Sequence, residues 1–193
     1  VKFRVNRPYT IAMKLVDWEE NLGLGSEANQ GSSYHPGDGG MVAVFKDDNG
    51  NTVATTGSEW KAQTFYTAPI ADLTCTSENG TSRISSNCSS DDVSDGTSFY
   101  GLHWELPSTW MESGFDDSAW PNSVEDPNTG STGPTQIPIV GTKSMWAKTY
   151  GDSVYFRKTF YLKSNCYESG FLGTNFAQYI VDNEMTIYVN GVF

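Results

Sequence analysis

A chain of 193 residues, 37% hydrophobic and 13% aromatic, is long and apolar enough to bury one sizeable core as a single domain. Its formal net charge of −11 argues against nucleic acid and anionic membrane surfaces as partners, because binders of either carry basic patches. No apolar run approaches the ~20 residues that spanning a bilayer requires, so membrane insertion is not expected.

Taken in chain order, the elements are strands. Tyr9–Asp17 alternates with β-branched content. The Gly-rich stretch 21–40 reads as a long loop. Met41–Phe45 is a short apolar run, Asp47-Asp-Asn-Gly-Asn51 is a hairpin turn signal, and Thr52–Thr55 returns from it. Trp60–Tyr66 alternates again, and a second long loop covers 72–98. Tyr100–Trp104 is followed by a third loop, rich in proline, over 121–142. Strands are then expected at Ser144–Ala147, Val154–Leu162, Phe176–Val181 and Met185–Val189. No window sustains the spacing of a long amphipathic helix. Short strands between Gly, Pro and Asn clusters predict an all-β chain, an antiparallel β-sandwich or jelly roll with long loops, as one module over 1–193.

The last turn carries its own expectation. Asn190-Gly191 is a type I′ hairpin signal, and only Val192-Phe193 follow it. The return strand is barely begun, so the module is expected to be incomplete at this end. Ile187, Val189, Val192 and Phe193 then form an open edge, which further chain or another subunit would complete.

Two sequons and three cysteines point to an oxidising, extracellular setting. Asn79-Gly80-Thr81 and Asn87-Cys88-Ser89 both fit the acceptor pattern for N-glycosylation, and Cys75 and Cys88 bracket that stretch. A Cys75–Cys88 disulfide is expected to close it. Three pairings are formally open, and Cys166 is left over as a buried thiol or as half of a bond to another chain.

The chain offers little chemistry. Glycoside hydrolysis needs two facing carboxylates, yet the suggestive pairs are neighbours: Glu19/Glu20, Asp47/Asp48, Asp91/Asp92 and Asp116/Asp117. His35 and His103 form no zinc-ligand spacing, and no nucleophile elbow or phosphate loop is present. The expectation is a chain without catalytic residues. Calcium is the best small ligand, with hard oxygen donors at Asp17, Glu19, Glu20 and Asp38, although a solvated acidic loop explains these residues too. Sugar binding would need an exposed aromatic beside polar groups, and Trp18, Tyr34 and Trp146 are the residues to check.

The segment Trp110-Met-Glu-Ser-Gly-Phe-Asp-Asp-Ser-Ala-Trp120-Pro121 resembles the tryptophan and Phe-Asp-Asp-Ser signature of galactose-binding-like jelly rolls. Ser58-Glu-Trp-Lys61, Val154-Tyr-Phe-Arg-Lys-Thr-Phe160 and Val181–Gly191 resemble that family's flanking elements, in its order. Such domains serve as lectin-like modules and as accessory modules of glycoside hydrolases, and the resemblance implies their fold. It implies carbohydrate binding only as a family tendency, because fold does not fix function. Read physically, Trp110, Phe115 and Trp120 anchor a turn that Asp116 and Asp117 fix by accepting backbone N–H groups. The expected role is a structural or adhesive building block of an extracellular assembly, with copies of itself or other extracellular proteins as partners. A carbohydrate-binding module, with glycans as ligands, is the alternative.

Overall fold

The computed structural model describes residues 3–4, 7–16, 40–46, 50–70, 73–79, 82–84, 100–125, 139, 142–147, 153–161, 171–172, 176–182 and 184–192. These residues form β1 (Phe3–Arg4), β2 (Pro8–Val16), β3 (Gly40–Lys46), β4 (Thr52–Thr55), β5 (Lys61–Ile70), β6 (Ser77–Asn79) and β7 (Ser82–Ile84). After them come β8 (Tyr100–His103), β9 (Val124–Glu125), β10 (Met145–Trp146), β11 (Ser153–Tyr161), β12 (Phe171–Leu172), β13 (Phe176–Asp182) and β14 (Glu184–Val189). A 3-10 turn at Leu73–Cys75 is the one helical element among the described residues. The chain is all-β.

Two antiparallel five-stranded sheets dominate. One runs β14-β2-β11-β5-β8, and the other runs β13-β3-β10-β9 with β4 on β3. Long partners occupy the middle of the first sheet: β2 and β11 pair from Val16↔Ser153 to Pro8↔Tyr161. The pairs β1-β12 and β6-β7 make two small two-stranded sheets.

The side-chain period of two assigns each face of the central strands to a different cluster. Ile11, Met13 and Leu15 of β2 and Val154 and Phe156 of β11 pack with Met41, Ala43 and Phe45 of β3 and with Met145 and Trp146 of β10. One core is thus filled from both sheets. The intervening Ala12 and Tyr155 point the other way, into a cluster with Trp104, Trp110 and Trp120. The segment 104–125 therefore covers the first sheet's outer face. In the second sheet, Val42 and Val44 pack against Ile139 on the face away from the shared core. Burial on both faces explains why β2 and β3 read as near-continuous apolar runs.

Candidate functional site

The motifs singled out in the sequence meet around residues 110–120. Trp110 is buried and stands edge-on to Tyr155 at 4.5 Å and to Tyr188 at 5.6 Å between ring centroids. Trp120 is 1% exposed and stands edge-on to Phe115 at 5.6 Å. Edge-to-face pairs of this kind each contribute about 0.5–1.5 kcal/mol beyond area burial.

Arg157 ties this turn to the sheet. It lies on β11, two residues beyond Tyr155 and on the same face, and its side chain is 1% exposed. Its Nε donates to Asp117 Oδ2 at 2.8 Å. Its terminal nitrogens donate to the carbonyls of Trp110, of Glu112 at 3.0 Å and of Phe115 at 3.4 Å. The guanidinium also lies 5.0 Å from the Phe115 ring centroid. A buried charge is tolerable only when its donors are filled, and the bent backbone of the turn supplies the acceptors.

The two aspartates divide the labour. Asp116 Oδ1 accepts the Ser118 N–H at 3.0 Å, which is the turn-fixing bond expected, and the Ser118 hydrogen bonds hold its carboxyl below the usual range. Asp117 instead neutralises Arg157, a role its sequence neighbourhood did not reveal. Lys61, from the Ser-Glu-Trp-Lys motif, donates to the Trp120 carbonyl at 3.0 Å. Trp60 is wholly buried, its Nε1–H bonded to Thr55 O at 2.7 Å. Lys158 lies 5.7 Å from the Trp60 ring centroid and bonds Glu59 at 2.6 Å. That hydrogen bond is the main reason the Glu59 carboxyl titrates below its ordinary value.

The β13–β14 side is the second region of interest. A single residue links β13, at the edge of one sheet, to β14, at the edge of the other. Ala177, Val181, Met185 and Ile187 pack against the shared core but are only partly buried. Tyr179 and Val192 on the same side are 50% and 63% exposed. The hairpin turn forms as expected: Asn190 has φ 49 and Gly191 φ 79, and Val189 and Val192 exchange N–H···O bonds of 2.9 and 3.1 Å. Asn190 also closes the end of the sheet. Its N–H donates to Thr10 O at 3.0 Å, and its Oδ1 accepts the Thr10 N–H at 2.8 Å.

That bond fixes which way β14 faces. In an antiparallel ladder the bonded side alternates along each strand. Asn190 bonds inward to β2 and Val189 outward to Val192, so Ile187 and Met185 also direct N–H and C=O outward. Among the described residues, β2 is the one strand paired with β14. Ile187 faces the shared core, and Tyr188 faces the aromatic cluster under the 104–125 segment.

Other expected residues fall as follows. Cys75 is disulfide-bonded, while Cys88, Cys166 and Asn87 lie outside the described residues. Asn79 ends β6 opposite Ser82 on β7, with Gly80 and Thr81 between them in the chain. Asp17, Glu19, Glu20, Asp38, Trp18, Tyr34 and Phe193 also lie outside the described residues. Among the described residues, no three His, Cys, Asp or Glu side chains group as metal ligands, and no helix is long and apolar enough to cross a membrane. Trp146 is 7% exposed within the shared core, so it offers no platform to a sugar. The large aromatics that are exposed, Tyr161 at 66% and Tyr179 at 50%, were not singled out by sequence. Tyr161 sits on the outer face of β11, whereas Tyr179 stands opposite Ala43 on the face of β13 that carries Ala177 and Val181.

No family model, no curated protein and no solved structure matches this chain.

Proposed function

We propose that the chain is a non-catalytic, secreted β-sandwich module of the jelly-roll kind, serving as a building block of an extracellular assembly. The observation that carries this reading is the outward edge of β14. Met185 and Ile187 turn backbone donors and acceptors away from their own sheet, beside the partly exposed side chains of Ile187, Tyr179 and Val192. A strand from a second copy or from another extracellular protein would satisfy those groups and cover that apolar side. Supporting the sandwich is the single core filled from both sheets. The likeness to galactose-binding-like jelly rolls agrees with it, since Trp110, Phe115 and Asp117 of the quoted signature meet around Arg157. Supporting secretion are the sequons at Asn79 and Asn87 and the disulfide at Cys75. We take Cys88 as its partner, because Cys75 and Cys88 bracket both sequons in the sequence.

Light scattering across a concentration series tests the assembly. The protein self-associates, Ile187→Pro abolishes association by removing one outward N–H, and Ile187→Val, which keeps it, behaves as the parent. A parent that stays monomeric throughout overturns assembly through copies of itself; a monomer that also captures no strand peptide overturns the reading.

A carbohydrate-binding module is the second reading, with calcium as a candidate cofactor through Asp17, Glu19, Glu20 and Asp38. The observation that favours it is Tyr161, exposed beside hydroxyl and amide groups.

A further inference from the structure

Three adjacent strands place polar groups on one rung of the first sheet's outer face. Thr159 of β11 stands directly opposite Thr10 of β2, and their hydroxyl oxygens are 2.8 Å apart. Thr10 is in turn bonded through its backbone to Asn190, at the end of β14. Thr10 is fully buried, whereas Thr159 and Asn190 are exposed. The rung therefore has a fixed floor with a hydroxyl on one flank and a carboxamide on the other. Asn190 uses its Oδ1 to hold Thr10, so its Nδ2 remains the donor side of that amide.

Tyr161 lies two residues beyond Thr159 on β11, on the same face, about 7 Å further along the strand. It is the most exposed of the large apolar side chains described, at 66%. It stands opposite Pro8, another exposed ring. On the other side, the rung is bounded by the covering segment: a Cβ placed on Gly191 would lie 3.1 Å from Glu112 Cγ. The result is a short shelf with an aromatic ring at one end, neutral hydrogen-bonding groups in the middle and an acidic residue at the far rim.

We propose that this shelf, Tyr161 with Thr159 and Asn190, binds a neutral pyranose. A sugar presents an apolar C–H face on one side and hydroxyls at its edge. The Tyr161 ring accepts the first, and the Thr159 hydroxyl and Asn190 amide meet the second. Small-ligand sites combine an apolar contact with a few fixed polar groups in this way. Charge selects the class further. Among the described residues no cationic side chain belongs to the rung, Glu112 borders it, and the chain carries −11 overall, so acidic sugars are disfavoured. The proposal rests on the second reading above and names the site for it. The shelf is shallow, so its affinity for a single ring is on the order of 1 mM.

The test is saturation-transfer NMR on the intact chain with the methyl glycosides of glucose, galactose, mannose and N-acetylglucosamine, and with glucuronate as the acidic probe. At least one neutral glycoside is expected to receive saturation through its ring protons, and glucuronate much less. Tyr161→Ala is expected to weaken binding about tenfold, Thr159→Val to weaken it less, and Tyr179→Ala, which alters the other exposed tyrosine, to leave it unchanged. Tyr161 is exposed, so its loss should leave the melting curve in place. Binding that survives in Tyr161→Ala overturns the shelf while leaving the carbohydrate reading standing. Binding lost equally in Tyr179→Ala overturns it as non-specific tyrosine contact. Absence of transfer to any neutral glycoside overturns both the shelf and that reading.

Discussion

Arg157 is almost wholly shielded from water, and one carboxylate and three backbone carbonyls surround its guanidinium. Removing it leaves those acceptors unpaired beneath the 110–117 turn. Arg157→Met is therefore expected to lower unfolding free energy by about 3 kcal/mol, read from urea denaturation curves. Arg157→Lys should recover only part of that loss, since an ammonium on a flexible stem cannot reach all four acceptors at once. Asp117→Asn should cost less than either, because Asp117 is 24% exposed and the amide oxygen still accepts. A methionine variant as stable as the parent would mean the turn is held by its aromatic anchors alone.

At the scale of the element, the most exacting turn is the one at Asn190-Gly191. Gly191 has φ 79, where a side chain is strained, and a Cβ there would also press on the Glu112 side chain at 3.1 Å. Gly191→Ala is expected to cost about 1–2 kcal/mol in a thermal or urea melt. Gly114→Ala, on the facing turn, has nothing within 4 Å of the added methyl and should change stability little. The hairpin was legible in sequence because a two-residue Asn-Gly turn depends on φ preferences that two residues carry by themselves. The long strands were legible for a similar reason: β2, β3, β11 and β14 each lie within a residue or two of the apolar runs at Tyr9, Met41, Val154 and Met185. The short strands were not. Two- and three-residue pairs such as β1-β12, β6-β7 and β9-β10 exist because partners distant in sequence meet, and too few residues take part to show a period. The Arg157–Asp117 bond escaped for the same cause. It joins residues 40 apart, and neither has a local pattern that names the other.

Across the whole molecule, the arrangement of sheets sets which parts open most easily. β2 is bonded on both sides, by β14 and β11, and covered on both faces, by the shared core and by the 104–125 segment. Its amides can exchange with solvent only when several elements separate together. β14 shares one face with each cluster but has β2 alone as a paired strand among the described residues. Its Met185 and Ile187 amides point outward, whereas Thr186 and Tyr188 point in toward Lys14 and Ala12. Native-state hydrogen exchange should therefore separate these groups sharply. In dilute protein, Ala12, Met13, Tyr155 and Phe156 should exchange at rates set by global unfolding, Thr186 and Tyr188 faster, and Met185 and Ile187 fastest of all. Raising the concentration should slow Met185 and Ile187 selectively if an added strand occupies the β14 edge, because a newly paired strand protects only the donors that face it. Equal slowing along the whole of β14 would instead report burial of a face. Protection of Met185 and Ile187 already complete in dilute solution would mean that this chain satisfies the edge internally, and the assembly reading would then lose the groups that motivate it.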